Sequence, residues 1–459
     1  MSTQKIKFTR RDLLKMSAGV IAGTLLAGCT PQATPEPTKP PTSTATPAPK
    51  KIEGTVTVMH DRKELTEDQE KQFEKDNPGI QIEFVEQDYT RFLAMYAAGT
   101  PPDIYRTQAP IIPSMLARNL LLDLTPYFQS SSLLKIDDLM SANKYYWAES
   151  PLKVGSGKIY GMCKDFSPDF TLFAYKKAFD DAKVPVPDGT TPLTYAQVSE
   201  LAGKVAKFQG DRILMFGYGF DDAWIDRIWM NCLAETGKSL YTVGFDQITL
   251  NNDDSKALVK YYVDLAENRL SFSPLNPSPN AWAGGDMTAG ILAIMQYGFW
   301  YSAMVESDVT KGNVVMLPAP TWSGQRRDPT MTATGAVITA ATKVPDAAWK
   351  VFEWYNGGQP AIDRAKGGWG VPGLKSLMKL VPQETDFQKQ CYKILEGELA
   401  LETPPLQFNP FLGEKVVMSA YNKYLDQYLR KQIKFDDLIT GVTTEVNQTI
   451  KDGINATMG

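Results

Sequence analysis

Apolar and polar positions along the chain follow the two periods that regular structure imposes, two for strands and 3.6 for helices. In Gly54-Thr-Val-Thr-Val-Met59 the alternation predicts a strand. Thr66-Glu-Asp-Gln69 is a capping-box signature and predicts a helix running to about Asp76. Asn77-Pro78-Gly79 stops it, and Ile80, Ile82 and Phe84 alternate in a second strand. Strand, helix and strand at this spacing predict a βαβ unit, hence an α/β protein with a parallel sheet.

The same grammar returns downstream. Thr194-Tyr-Ala-Gln197 is another capping box, opening a helix to about Phe208, with a strand near Ile213–Gly217. Asp253 or Asp254 starts a helix whose Leu258, Tyr261, Tyr262 and Leu265 share a face. Ile291–Gln296 and Val314–Leu317 predict short buried strands. Asp346 is expected to cap a helix that turns Trp349, Phe352 and Tyr355 inward, and the chain beyond about residue 360 reads as mostly helical. The charged run between Lys63 and Lys75 reads as a solvated helix face. There is no internal repeat and no second linker, so two lobes would share several crossings rather than one.

The first fifty residues follow a different rule. Thr9-Arg-Arg-Asp-Leu-Leu-Lys15 precedes an apolar run, Met16–Ala27, of about 12 residues, whereas a helix spanning hydrocarbon needs about 20. A charged start, a short apolar core and small residues make an export signal over residues 1–28. Arg10-Arg11 resembles the twin-arginine signal, with Leu13 where that signal more often has phenylalanine. Leu26-Ala-Gly-Cys29 resembles a lipobox, in which Cys29 is lipidated and becomes the new N-terminus; the alternative is a plain signal peptide with a chance cysteine. From Thr30 to Lys51 the chain is rich in Thr, Pro, Ala and Ser and holds no large apolar side chain, so 29–51 is expected to be an extended tether.

Composition narrows the chemistry. The chain has 459 residues, 43% apolar and 22% charged, with a net charge of −4, ordinary for a soluble globular protein with room for two or three domains. Residues 1–28 carry a net +4, so the remainder stands near −8. An acidic chain without a basic stripe argues against nucleic acid as partner. With one histidine, any Ser–His–Asp triad or histidine-rich zinc site would have to be built on His60. No CxxC pair occurs, and Gly217-Tyr-Gly-Phe lacks the third glycine of a dinucleotide fingerprint. No metal and no cofactor is therefore expected. Cys163, Cys232 and Cys391 allow one disulfide and a free thiol, or three free thiols, and read as small buried apolar residues.

Several phrases, in order, carry a resemblance. Lys71-Gln-Phe-Glu-Lys-Asp-Asn-Pro-Gly-Ile-Gln-Ile-Glu83 is similar to the first helix and strand of extracellular solute-binding proteins, the sugar-type group that includes maltodextrin-binding protein. Ala97-Ala-Gly-Thr-Pro-Pro-Asp-Ile104 and Leu122-Asp-Leu-Thr-Pro-Tyr127 resemble that family's next segments. Lys158-Ile-Tyr-Gly161 and Leu172-Phe-Ala-Tyr-Lys-Lys177 resemble its crossing strand, where Tyr-Asn-Lys is usual and Ala174-Tyr-Lys stands here. Leu193-Thr-Tyr-Ala-Gln197, Ala293-Ile-Met-Gln-Tyr-Gly-Phe-Trp300, Val315-Met-Leu-Pro-Ala-Pro320 and Pro345-Asp-Ala-Ala-Trp349 continue the match over roughly residues 54–420.

The resemblance implies a two-lobed α/β fold of the periplasmic-binding-protein type, each lobe a sheet flanked by helices and joined by crossing hinge strands. Lobe 1 would be 52–166 with 317–363, and lobe 2 would be 167–316 with 364–459. It implies no enzyme and no catalytic residue, but capture of a carbohydrate and its delivery to an ABC permease with its ATPase. The protein would be a monomer held by lipid on Cys29 to the outer face of the cytoplasmic membrane. The same fold binding a peptide, polyamine or other small polar solute is an alternative, as is an exported glycoside hydrolase working with two carboxylates.

A sugar offers flat C–H faces to rings and hydroxyls to carboxylates and guanidinium groups. Trp300, just past a buried strand and Gly298, stands where the family places a stacking ring. Trp224, in the Gly217–Trp224 turn, Trp369, in Gly367-Gly-Trp-Gly370, and Phe411, in Phe408-Asn-Pro-Phe411, are further candidates, each with core packing as the competing role. Asp61 and Arg62 follow the first strand directly, and Arg106 follows Asp103-Ile104. Asp169, with Asp165 competing, aligns with a hydroxyl-binding carboxylate. Asp103 reads as structural and His60 as a bystander. Trp282 and Trp322 flank loops and receive no role.

Overall fold

The computed structural model describes residues 51–305 and 310–458, so the signal segment, Cys29 and nearly all of the tether lie outside the described residues. Strand β1 (Gly54–His60) pairs in parallel with β2 (Ile80–Glu86), Val56 opposite Ile82 and Val58 opposite Phe84. The helix between them, Glu67–Asp76, starts at the expected box: Thr66 Oγ1 accepts the Gln69 N–H at 3.3 Å and Gln69 Oε1 accepts the Thr66 N–H at 3.0 Å. Of this helix Phe73 alone is buried, as a one-sided helix over a sheet requires. Strand β3 (Ile104–Thr107) joins the other edge of β1 in parallel. Asp103 holds that junction, accepting the Thr57 N–H at 2.9 Å and the Thr342 hydroxyl at 2.5 Å.

A hairpin of β4 (Trp147–Ser150) and β5 (Lys153–Ile159) then leads into β6 (Gly161–Cys163) and the short β7 (Asp165–Phe166). Next come β8 (Leu172–Tyr175), β9 (Lys207–Gln209) and β10 (Arg212–Gly219). After these follow β11 (Leu292–Gln296), β12 (Val314–Leu317), β13 (Gly335–Ile338) and β14 (Val371–Pro372). Ten of them form two five-stranded mixed sheets, β2-β1-β3-β13-β6 and β12-β8-β11-β10-β9, and the other four pair as β4-β5 and β7-β14. The chain passes from the first sheet to the second between β6 and β8 and returns between β12 and β13. It crosses again beyond β14, which pairs with β7. The helix Asp386–Leu399, opened by a third capping box at Thr385 and Gln388, then packs on β12, where Gln390 brackets Met316 with bonds of 3.3 and 2.5 Å. This is the two-lobed periplasmic-binding-protein-like arrangement.

Two local expectations change, at the end of the helix from Thr194 and at the start of the helix near Asp346. The helix from Thr194 ends at Val205, and Lys207–Gln209 becomes an edge strand antiparallel to β10. The apolar face of that helix, Val198, Ala202 and Val205, is complete by then, while Phe208 stays exposed. The helix Asp253–Glu267 starts at Asp253 as expected, with Asn252 before it as the cap, its side chain accepting the Ser255 N–H at 2.9 Å. The helix Pro345–Gly357 begins at Pro345, with Val344 at the cap and Asp346 in its first turn, because proline needs no N–H partner there and its φ is already helical. Trp349, Phe352 and Tyr355 are buried as expected, against a core of Val56, Val58, Ile104 and Ile338. Cys163, Cys232 and Cys391 are all buried free thiols. Among the described residues no helix is long and apolar enough to cross a membrane.

Candidate functional site

Parallel pairing of β10 and β11 brings the C-terminal ends of both strands to one edge of the second sheet. Beyond β10 a short turn, Asp222–Trp224, opens the helix Ile225–Ala234. Beyond β11 come Tyr297, Gly298 and the turn Phe299–Met304. Three rings meet there: Tyr297 lies between Trp224, 5.0 Å away at 44°, and Trp300, 5.1 Å away at 49°. Tyr297 is buried and its hydroxyl donates to Asp221, whereas Trp224 and Trp300 are half-buried. Burial pushes the Asp221 carboxyl above its usual range, against the pull of the tyrosine hydroxyl.

Backbone contacts tie this shelf to the chain crossings. The Trp300 N–H donates to Ser167 Oγ at 3.3 Å. A Cβ at Gly298 would stand 2.0 Å from Asp169 Oδ1, so only glycine lets β11 run out this close to the first crossing. Gly370, at φ +115°, would place a Cβ 3.7 Å from that of Trp300 and 2.9 Å from the Phe166 carbonyl. Its neighbour Trp369 is 56% exposed, rare for so large a ring. Trp369 shares a small cavity with Lys164, Asp165 and Arg364.

At the ends of β1 and β3 the charges are fixed by one another. Arg106 Nε and Nη2 donate to the two oxygens of Glu64 at 3.0 and 2.7 Å. Lys164, buried, lies 3.4 Å from Glu64 and bonds Asp165 more closely still. Burial alone would raise the Glu64 carboxyl, but Lys164 and Arg106 overcome it and hold the group well below the usual carboxylate range. His60 packs edge-on to Tyr355 at 4.8 Å, and burial drives its pKa down to about 3.

The structure therefore groups some of the expected residues and separates others. Trp224 and Trp300 share the shelf; Trp369 lies with Asp165 on the small cavity, next to the Gly370 that approaches Trp300; Arg106 and Asp165 belong to the Glu64–Lys164 cluster. Asp61 is engaged in its own turn, accepting the Lys63 N–H at 2.8 Å. Arg62 pairs with Glu70 at 2.7 Å and lies 3.3 Å over the Phe84 ring. Asp169 is wholly buried and Phe411 is 6% exposed, so neither presents surface in this arrangement. Tyr297, Glu64 and Lys164 were not anticipated. Glu64 belongs to the run read as a solvated face; it is instead an ionic partner, and the signal was its place four residues after His60 at a strand end. Among the described residues no group of three or more His, Cys, Asp or Glu is placed to hold a metal ion.

Comparison with known proteins follows the same line. The family of bacterial extracellular solute-binding proteins matches residues 58–357. Comparison with curated proteins finds no match. An ABC substrate-binding protein of Listeria monocytogenes, solved in complex with cycloalternan, superposes with a TM-score of 0.71 at 18% identity, covering 87% of this chain and 99% of that one. The GacH receptor of Streptomyces glaucescens, solved unliganded and with acarbose, gives 0.66 at 16%, covering 87% and 99%. Maltose-bound MalE3 of T. maritima gives 0.65 at 16%, again covering 87% and 99%. A two-sheet frame crossed three times, with half-buried rings at the strand ends beside the crossings and a family match over most of the folded part, identifies the chain as a member of the bacterial extracellular solute-binding protein family.

Proposed function

We propose that the protein captures a carbohydrate between its two lobes and hands it to an ABC importer, acting as an exported monomer tethered by lipid on Cys29. The observation that carries this reading is the Trp224–Tyr297–Trp300 shelf, whose outer rings keep surface free beside the crossings. A pyranose presents C–H faces that such rings cover, and hydroxyls that Asp165 or Lys164, which line the small cavity with Trp369, would meet as the lobes close. Ligand then favours the closed state by as much as it contacts both lobes at once. Structural neighbours solved with cycloalternan, acarbose and maltose support the choice of carbohydrate. The division into 52–166 with 317–363 and 167–316 with 364–459 belongs to the same reading.

A thermal-shift screen against saccharides, amino acids, peptides and polyamines tests it, because a ligand that binds only the folded state raises stability by RT ln(1 + [L]/Kd). One saccharide family is expected to raise Tm, with the saccharide recovered unchanged. Trp300→Ala should weaken that binding by about 1–3 kcal/mol while its own Tm stays close to wild type. A shift with polyamines or peptides alone, or Trp300→Ala with unaltered affinity, overturns the reading.

A further inference from the structure

The second crossing, between β12 and β13, is fastened first to one lobe and then to the other. Its early part is held by one face of a helix. Arg227, Asn231 and Glu235 recur every four residues along and just past the helix Ile225–Ala234, so their side chains point the same way. Glu235 Oε2 accepts the Thr321 hydroxyl and the Trp322 N–H at 2.8 Å each, and the Ser323 N–H at 3.0 Å. Asn231 donates to the Arg327 carbonyl at 3.3 Å, and Arg227 to that of Met331 at 3.1 Å. All three side chains are buried, where water does not compete for these bonds.

From Thr332 onward the backbone belongs to the first lobe. The Ala109 N–H donates to the Thr332 carbonyl at 2.8 Å, the Tyr146 hydroxyl to that of Ala333 at 2.7 Å, and the Lys164 N–H to that of Thr334 at 2.8 Å. Gly335 then enters β13 opposite Thr107. The two sets overlap at Thr330, whose carbonyl accepts the Tyr145 hydroxyl at 2.7 Å, and at Thr332, whose hydroxyl lies 3.5 Å from Asp169. Between the two holds the backbone is bent against its preference. Ala333 has φ +38°, in the left-handed region where a Cβ crowds the following carbonyl. Asn119, Lys183 and Lys431 share that sign of φ in exposed turns, whereas Ala333 is wholly buried. Thr330 Oγ1 keeps the bend, accepting the Thr332 N–H at 3.3 Å and the Ala333 N–H at 2.9 Å.

The third crossing meets a similar need with glycine, Gly370 at φ +115°. The second uses alanine, so its joint carries a bias that glycine would not. Taking from the proposed function only that the lobes close, we infer that Ala333 is the pivot of the second crossing. Residues 321–331 ride with the second lobe, the chain turns at Ala333, and the strain held there sets how the open and closed arrangements balance before any solute arrives. The lobe boundary on this crossing then falls at Ala333 and not at residue 317. A rotation that carries Ala333 out of the left-handed region gains what its Cβ costs there. Glycine would gain nothing from that rotation, and a β-branched residue would gain more.

The test reads distances by pulsed electron spin resonance in the full chain with Cys29→Ser, whose other three cysteines are buried. Spin labels go on Lys71→Cys in the first lobe, Gln325→Cys on the crossing and Lys204→Cys in the second lobe, all exposed positions. The Lys71–Gln325 and Gln325–Lys204 distances are measured without solute for Ala333, Ala333→Gly and Ala333→Val. The two substitutions are expected to move the Lys71–Gln325 populations in opposite directions, each by about fivefold relative to Ala333. The Gln325–Lys204 distance should stay the same in all three. Thr330→Val, nearly isosteric, deprives the bend of its acceptor and should act as Ala333→Val does if that variant does not fold. Equal Lys71–Gln325 distributions in every protein, or a Gln325–Lys204 distance that shifts with them, overturns the inference. No solute enters the measurement, so either outcome leaves the carbohydrate reading to be decided by the saccharide screen.

Discussion

Arg106 grips Glu64 through both arms of its guanidinium fork, Nε to Oε2 at 3.0 Å and Nη2 to Oε1 at 2.7 Å. The pair joins the end of β3 to the turn after β1, and Lys164 extends it to the first crossing. Arg106 thus holds the first sheet's edge in shape rather than lying free for a solute. Arg106→Ala should cost about 3 kcal/mol in urea denaturation, since it strips Glu64 of its principal partner in a place where both side chains are mostly buried, 14% and 22% exposed. Arg106→Lys should recover part of that, keeping the charge without the fork. An Arg106→Ala protein as stable as wild type but weaker in binding would return Arg106 to the role of direct contact.

The reach of the sequence is visible in the same residues. Capping boxes at Thr66 and Thr194 are decided within four residues, and both helices start where the pattern places them. Strand ends were legible too, which is why Trp224 and Trp300 could be singled out: each lies just past a run that reads as a strand, Ile213–Gly217 for the first and the apolar Ile291–Gln296 for the second. Strand β13 was not legible, because Gly335-Ala-Val-Ile338 holds only two large apolar side chains, set among the small residues of Thr332–Thr342. Nor were the ionic partners. Glu64 and Arg106 are 42 positions apart, and Asp169 meets Thr330 across 161, so their pairing is a product of topology and leaves no local trace. A carboxylate at a strand end looks the same in sequence whether it faces solvent, a ligand or an arginine.

His60 is the chain's single histidine, which makes its protonation state directly readable. Its Nδ1 lies 3.0 Å from the Asp61 N and 3.3 Å from the Asp61 carbonyl oxygen, while Nε2 is buried and unpartnered. Burial lowers its pKa from 6.5 to about 3, with Arg106 and Lys164 adding to the effect against Glu64. The folded state therefore refuses a proton that the unfolded chain accepts. This stability is present above pH 6.5 and is lost as pH falls toward about 3, at about 1.4 kcal/mol per unit. The one imidazole NMR signal is expected to hold its neutral-form shift down to about pH 5; a midpoint near the unperturbed value would show that the ring is open to water.

Asp169 works in the opposite sense, and at the hinge. Its Oδ2 accepts the Met331 N–H at 2.6 Å and the Thr330 hydroxyl at 3.0 Å, while Asp328 on that second crossing accepts the Phe170 N–H at 2.8 Å from the first. Two buried carboxylates thus clasp the crossings reciprocally. Burial raises the Asp169 pKa from 3.8 to about 6, although these hydrogen bonds oppose the rise. Between those values the folded protein keeps a proton that the unfolded chain has lost. The group's contribution is therefore full below pH 3.8, declines through the window and is gone above about 6. Two units correspond to about 3 kcal/mol. Asp169→Asn fixes the neutral form, so the stability of wild type relative to this variant should fall by about that amount between about pH 4 and pH 6 and stay level above. Burial also pushes up the Asp328 carboxyl, and the Asp169 charge adds to that rise, so both proteins are compared with Asp328→Asn in place. Parallel curves in urea titrations across that window would mean that water reaches Asp169, and that the clasp between the crossings is looser than its hydrogen bonds describe.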